Sequence, residues 1–309
     1  MGRETNIEWC DSTINGSSGC DGCELWSPQK RTCYAGVLQQ NRLSKSMPKL
    51  YDVDFRKVRM IPGRYAQAAS WSDLRGVDRP DKPWLNGKPR CIFVGDMGDT
   101  FSRDVTDDYL TRELLGAITS KQGQRHFWML LTKRPRRLAE LSVKWGGLPE
   151  NVMAMTTVTD QKTANIRVPQ LLQVKCHWRG LSCEPLLGPV DLMDLPFGGP
   201  CESCEHPVSM NSLTGYTVCK GLCDGPELAR IDWVIAGGES GTNAQPMHPH
   251  WARNLRDDCG EYGVPFFFKQ WGAYAPAVGQ QIAASSCFLT VNAAPKRTGR
   301  IVKPRRWTA

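Results

Sequence analysis

An α/β fold with a parallel sheet, wound as a full or partial barrel, is predicted by three features of the sequence. Strand-like and helix-like stretches alternate about seven times, as right-handed crossovers require. The later strands, CIFVG, HFWMLLT, WVIAGG and PFFFKQWG among them, are nearly continuous apolar runs, as expected where both faces of a sheet are buried. The runs end in polar clusters: GDMGD, TKRP, TTVTD, SCEP, GGESG and KQWG. Chemistry in such barrels gathers where the strands end, so polar tips on apolar strands predict one shared active site.

Asn6–Trp9 reads as a short first strand that leads into a loop, Gly19–Ala35, with the sequence GCDGCELWSPQKRTCYA. After Cys33 the pattern YAGVLQQNRL predicts a helix whose N-terminus points at the loop, where it favours anions and lowers thiol pKa. Residues 42–90 are mixed, with Pro62, Pro80, Pro83 and Pro89, and carry one helix near Met60–Leu74. A strand at Cys91–Gly95 runs into GDMGDTF. A helix follows at Thr106–Ser120, with Thr106 as its cap and Asp107 and Asp108 in the first turn. Next come a strand at His126–Thr132, a helix over RRLAELSV, a strand at Val152–Asp160, a helix at Gln161–Leu172 and a strand at His177–Pro185. Phe197–Pro226 breaks the rhythm. It resumes with a strand at Trp233–Gly241, the helix PHWARNLRDDCGEYG and a strand at Pro265–Gly272. Residues 1–272 are thus expected to form one barrel domain, with an insertion at 197–226, and 273–309 an irregular extension ending in the basic KPRRW.

Composition narrows the class. With 309 residues, 40% hydrophobic and 23% charged, the chain is ordinary for a soluble globular protein. The polar start MGRETNIEWCDS lacks a secretory core, and no apolar run reaches the ~18 residues that span a bilayer. A cytoplasmic monomer without membrane contact is expected. Thirteen cysteines, odd in number and clustered, favour metal binding over a disulfide framework. The net charge of +8 is compatible with a polyanionic partner. Of eleven tryptophans, Trp84, Trp128, Trp145, Trp178 and Trp307 lie beside basic residues. Such pairs stack bases on a nucleic-acid surface, although core packing is the commoner use of each.

Two cysteine groups carry the chemistry. Cys20, Cys23 and Cys33 are three thiols spaced C-x2-C-x9-C. A structural zinc site closes with four ligands, whereas three thiolates on a 4Fe-4S cluster leave one iron open; spacing alone allows both. Cys201, Cys204, Cys219 and Cys223, spaced C-x2-C-x14-C-x3-C, read as a closed zinc ribbon or knuckle, with His206 as an alternative ligand and an auxiliary iron–sulfur cluster as the rival. Zinc knuckles also contact nucleic acid. At the strand ends, Lys133 and Lys269 suit a carboxylate or phosphate, or a salt bridge. Asp96 in GDMGD reads equally as a turn or cap residue. Cys183 in SCEP reads as a buried thiol or a hydrogen-atom donor.

The segments TNIEWCDSTIN, GC–C–CYAG, FVGDMGDTF, LLTKRP, SCEPLLGPVDL, WVIAGGESG, PMHP and VPFFFKQWG, in this order over most of the chain, resemble the phage-associated, radical-SAM-like three-cysteine family, largely of unknown function. The resemblance implies a partial (β/α)6-type TIM barrel of the radical SAM kind with a small four-cysteine metal-binding insertion. It implies a 4Fe-4S cluster on Cys20, Cys23 and Cys33 whose fourth iron is chelated by S-adenosylmethionine (SAM). It places Asp96, Gly98 and Asp99 at the SAM amine, with Asp99 the better match. Thr157, Thr159 and Asp160 fall near the ribose, and Gly237, Gly238, Glu239 and Glu184 near SAM or substrate. Usual radical SAM spacing is C-x3-C-x2-C, with an aromatic before the last cysteine. Here Thr32 stands there, so Tyr34 takes the adenine contact, and Cys10, where the family more often has threonine, is a bystander. The activity implied is abstraction of hydrogen from a nucleobase by a 5′-deoxyadenosyl radical, fed by an external one-electron reductant. It would isomerise an amino-acid-modified thymine in phage DNA, within the infected host cell. The alternatives are a DNA-repair lyase resembling spore photoproduct lyase and a non-enzymatic, zinc-stabilised nucleic-acid-binding protein.

Overall fold

A computed structural model describes residues 2–193, 195–200, 207–211, 213, 216–219, 224–227, 230–241, 243–276, 288–290 and 301–302. For 50, 195–200, 207–211, 216–219, 224–227, 288–290 and 301–302 it describes the backbone. The fold is mixed α/β with parallel strands, and the chain divides into two compact units: 1–155 with 174–178, and 156–173 with 179–309.

In the first unit, β1 (Ser12–Ile14) pairs in parallel with β2 (Cys91–Val94), Thr13 standing opposite Phe93. β2 pairs in parallel with β3 (Phe127–Thr132), and β4 (Val152–Thr157) follows β3 in the sheet. All four side chains of β2 and all six of β4 are buried, which accounts for their unbroken apolar character. The first strand thus lies later than Asn6–Trp9. Ile14 is β-branched and core-buried, and Asp11 accepts the Cys91 N–H at 2.8 Å, which starts the β1–β2 register three residues past Glu8. The carboxylate of Asp11 is also held by buried Arg79, at 2.8 Å from Nε.

Helices connect these strands as the caps dictate. A continuous helix over 107–119 starts on Thr106, whose hydroxyl accepts the Tyr109 N–H at 3.2 Å, and Asp107 and Asp108 favour its positive end. α1 (Pro135–Lys144) opens with proline at its first position, where no N–H is needed. The helix expected near Met60–Leu74 is only Arg64–Ala69, because Pro62 and the left-handed Gly63 set its start and Arg59–Met60 pair instead with Ser17–Ser18.

In the second unit, β5 (Trp178–Cys183), β6 (Trp233–Gly237) and β7 (Phe266–Gln270) pair in parallel, with Val234 opposite both Leu181 and Phe266. The unit also contains the helix Gln161–Leu172, capped by Asp160, and the helix Pro249–Glu261. Leu195–Pro200, Pro207–Asn211, Tyr216–Cys219 and Asp224–Glu227 form a separate antiparallel meander, where the sequence broke rhythm. Among the described residues no helix is long and apolar enough to cross a membrane.

Candidate functional site

The cysteine loop is shaped by backbone pairing. Gly19 has φ of +81°, and a Cβ there would lie 2.4 Å from the Lys57 carbonyl oxygen. Gly98, in the turn after β2, packs so closely that its Cβ would lie 2.4 Å from the Gly19 oxygen. Only glycine at both positions lets the GDMGD turn meet the loop backbone to backbone. Beyond Cys20, whose N–H donates to Phe55 O at 2.7 Å, the chain doubles back. Cys23 and Trp26 exchange backbone hydrogen bonds at 3.1 and 3.0 Å, and Ser27 N donates to Lys30 O at 2.7 Å across Pro28-Gln29. Thr32 N and Cys33 N then both donate to Leu25 O, each at 3.0 Å. The nine residues between Cys23 and Cys33 are thus a looped-out excursion, and Cys33 returns to a point two residues past Cys23. Trp26 anchors the excursion against Phe55, ring centroids 5.1 Å apart, and Gly36 leaves room for its ring.

Charge is concentrated beside the thiols. Arg134, just past β3, donates from Nη1 to Asp99 Oδ2 at 2.7 Å and from Nη2 to Gly22 O at 2.8 Å and to Asp21 Oδ1. The same Nη2 stands 4.0 Å from Cys20 Sγ. Burial opposes the Arg134 charge, yet Asp99, Cys20 and Asp21 outweigh it and hold the guanidinium above the ordinary arginine pKa. Burial pushes the Cys20 thiol up, reinforced by Asp99 and opposed by Arg134 and the Gly22 N–H. Burial likewise raises Cys23, opposed by the Lys133 charge and the Leu25 N–H, while Cys33 adds its own repulsion. The three thiols are therefore electrostatic neighbours, with the Arg134 charge offsetting burial at Cys20 and the Lys133 charge offsetting it at Cys23.

The remaining expected residues of this unit take definite places. Asp99 is almost fully buried and accepts from Phe101 N, Thr132 Oγ1, Lys133 N and Arg134 Nη1, at 2.7–2.9 Å. It joins the second strand's turn to the end of β3. Asp96 is held by the Asn15 side-chain amide, and burial raises its pKa. Asn15 Oδ1 in turn accepts the Met97 N–H at 3.0 Å. Tyr34, at the start of the helix after Cys33, is 66% exposed and presents its ring outward. Asp21, Arg134 and Asn15 were missed by sequence reasoning. Arg134 had a signal in TKRP, whose lysine drew attention away from it.

In the second unit Lys269 is the extra residue of a β-bulge: Ala236 pairs with Phe268 and Gly237 with Gln270. Such an insertion re-aims a side chain, and Lys269 Nζ donates to Glu184 Oε1. Gly237 is the gap that admits the pair, since a Cβ there would lie 3.3 Å from Glu184 Cδ. Gly238 packs on the Trp271 carbonyl. Glu239 is 6% exposed; its Oε2 accepts the Gln245 N–H at 2.9 Å, and its buried Oε1 has no hydrogen-bond partner among the described residues. Cys183 is fully buried and its thiol is pushed up to about 12 by desolvation; it lies near Cys259 of the helix. Cys183 is the last residue of β5, and Glu184 follows it outside the strand. Asp160 forms a capping box with Thr163, at 2.8 Å to its N–H. Thr159 O accepts from Leu187 N and Gly188 N, and Thr157 O accepts from Arg167.

Trp128 lies in the core with Nε1 bonded to Gly123 O, Trp84 donates to Glu8 O and Trp145 to Thr111 Oγ1, so these three indoles are tied internally. Cys201, Cys204 and Cys223, with His206 and Trp307, lie outside the described residues, and Cys219 is described by its backbone at the end of a strand. Among the described residues no three side chains of His, Cys, Asp or Glu are gathered closely enough to hold a metal ion. The cysteine loop brings Cys20, Cys23 and Cys33 onto one doubled-back stretch of backbone, with Arg134 lowering the Cys20 pKa and Lys133 that of Cys23 against the effect of burial.

No curated protein and no solved structure matches the chain. The family model described as "Protein of unknown function (DUF5131)" matches residues 4–309, and the chain belongs to that family.

Proposed function

We propose that the protein is a radical SAM enzyme acting on a nucleobase. Cys20, Cys23 and Cys33 hold a 4Fe-4S cluster with one iron left to SAM, and the strands belong to a partial (β/α)6 barrel. The observation that carries this reading is the closure at Leu25. It converts a C-x2-C-x9-C spacing into three thiols on one short turn of backbone, next to Arg134 and Lys133. Cations and amide N–H groups near cluster sulfurs are how proteins tune such centres. A cluster held by these three cysteines, with SAM bound, would supply radical hydrogen-atom abstraction on one-electron reduction.

The chain's own residues do the rest. Asp99 and Arg134 fix the loop to the end of β3. Tyr34 offers an exposed ring to the adenine, and Asp96 with the Gly98 turn faces the SAM amine. In the second unit, Glu184 and Lys269 hold or move a proton on polar substituents of the substrate. The Oε1 of Glu239, buried and without a hydrogen-bond partner among the described residues, takes an N–H donor from a polar group of the substrate. The substrate is an amino-acid-modified thymine in DNA, flipped from the stack, and the reaction is an isomerisation at unactivated carbon. Cys201, Cys204, Cys219 and Cys223 would be the residues to hold a zinc ion, and the enzyme acts as a cytoplasmic monomer with an external reductant.

The test is anaerobic reconstitution with iron and sulfide, followed by SAM and dithionite. The reading expects 5′-deoxyadenosine. A protein that takes up zinc but no iron at the cysteine loop favours the non-enzymatic alternative, and activity on damaged rather than hypermodified DNA favours the repair lyase.

A further inference from the structure

The charge of this chain is concentrated in one place. Residues 28–64 contain nine lysines and arginines and two aspartates, so this short stretch carries an excess of seven against +8 for the whole chain. The stretch wraps the cysteine loop. Arg59 pairs with Ser18, Phe55 O accepts the Cys20 N–H, and Trp26, Ala35 and Phe55 pack with Cys20 in one apolar cluster, against which Cys33 and Leu38 lie. With its apolar side turned inward, the segment presents its charges outward. Arg42, Lys45, Lys49, Arg56, Lys57 and Arg59 are all exposed, and among the described residues none of the six forms an ion pair. Arg59 Nη1 donates to Lys49 O at 3.3 Å, which closes the part of the stretch between them. Interleaved with them are the exposed Tyr34, Val37, Met47 and Met60. Unpaired cations around exposed aromatic and apolar side chains match a strand of phosphates carrying bases. A membrane-binding helix would need a broad apolar face. The outward residues of 34–46 are instead mostly polar: Gln40, Asn41, Arg42 and Lys45 beside Tyr34 and Val37.

We propose that residues 28–64 form the nucleic-acid-binding surface of the protein, gripping the phosphate backbone of DNA at the rim of the cysteine loop. This rests on the nucleobase reading above and adds where the polymer lies. The helix over 34–46 is about 20 Å long, which matches about six base pairs of DNA. The surface is sequence-independent, as phosphate contacts are. It delivers the strand to the loop and leaves the choice of base to the site itself.

The experiment measures binding of the reconstituted full chain to a fluorescein-labelled DNA duplex by anisotropy across a salt series. It uses wild type, the triple variant Arg42→Gln/Lys45→Gln/Lys49→Gln, and the control Lys121→Gln/Lys162→Gln, which neutralises exposed lysines elsewhere. Each lost phosphate contact flattens the slope of log K against log salt by about 0.9. The triple variant is therefore expected to lose about 2.7 of slope and at least tenfold in affinity at ~100 mM salt, with the control unchanged. Iron content and circular dichroism must match wild type, as exposed positions predict, and Arg56→Gln/Lys57→Gln gives the same comparison from a second part of the stretch. If wild type binds DNA and both patch variants bind equally well, the surface is elsewhere and the nucleobase reading survives. If wild type binds no DNA while the cluster is intact, both the surface and a polymeric substrate are overturned. Binding of an acidic peptide in preference to DNA overturns the proposal in favour of a protein partner.

Discussion

Replacing Asp99 tests whether the cysteine loop is held by one buried carboxylate. In Asp99→Ala four donors lose their acceptor at once: the N–H groups of Phe101 and Lys133, the Thr132 hydroxyl and the Arg134 guanidinium. Removing one partner of a buried ion pair costs about 3–5 kcal/mol. Asp99→Asn is the sharper variant. Oδ1 accepts two of these donors and Oδ2 the other two, so either orientation of the amide turns an NH2 group toward donors. The conservative change should then cost nearly as much as alanine, roughly 3 kcal/mol or more. At about 2–4 °C per kcal/mol for a unit of this size, the melting temperature falls by roughly 10 °C. Urea unfolding followed by tryptophan fluorescence gives the midpoint, and N-ethylmaleimide labelling of Cys20 in the metal-free chain reports loosening of the loop. An asparagine variant within ~1 kcal/mol of wild type, with Cys20 still protected, would refute the assignment of Asp99 as the hub.

Three further outcomes follow from the geometry. His126 is buried; its Nε2 donates to Ala69 O at 3.1 Å, its Nδ1 has no partner among the described residues, and burial lowers its pKa from the ordinary 6.5. The unfolded chain therefore binds this proton first, so stability is full above pH ~6.5 and falls as pH drops below it; His126→Gln should flatten that limb of a urea-midpoint profile against pH, and an unchanged profile counts against it. Cys183, with its thiol pushed up to about 12 and no exposure, should resist iodoacetamide at pH 8 until the chain unfolds, whereas fast labelling in the folded state would place it at an open surface. The bulge pair predicts coupling: a double-mutant cycle of Glu184→Gln and Lys269→Met should give about 1 kcal/mol or more, and strict additivity would mean that the two do not interact.

The elements were largely readable because buried parallel strands write themselves as apolar runs, and Thr106, Asp160 and Pro135 mark helix starts by their chemistry. The first strand was not, since Ser12–Ile14 is three residues of mixed polarity made into a strand by pairing with Ile92–Val94. The three cysteines were legible as a group, but their closure was not. It depends on Leu25 accepting two N–H bonds, which no side-chain pattern records. Strand-tip residues were the least legible. A polar residue after an apolar run signals a cap, a hub or a ligand contact alike, and Asp160 and Asp99 differ only in what surrounds them. The bulge that turns Lys269 toward Glu184 is likewise a property of register rather than of sequence period.

The central claim is that Cys20, Cys23 and Cys33 hold a cluster with one iron open to SAM. The direct measurement is the electron paramagnetic resonance spectrum of the anaerobically reconstituted, dithionite-reduced protein, recorded with and without SAM. The account predicts a reduced 4Fe-4S signal, with about four irons and four sulfides at the loop. That signal should change shape when SAM is added and vanish in each of Cys20→Ala, Cys23→Ala and Cys33→Ala. A colourless zinc-loaded protein, or a cluster signal indifferent to SAM and to those three substitutions, would contradict it.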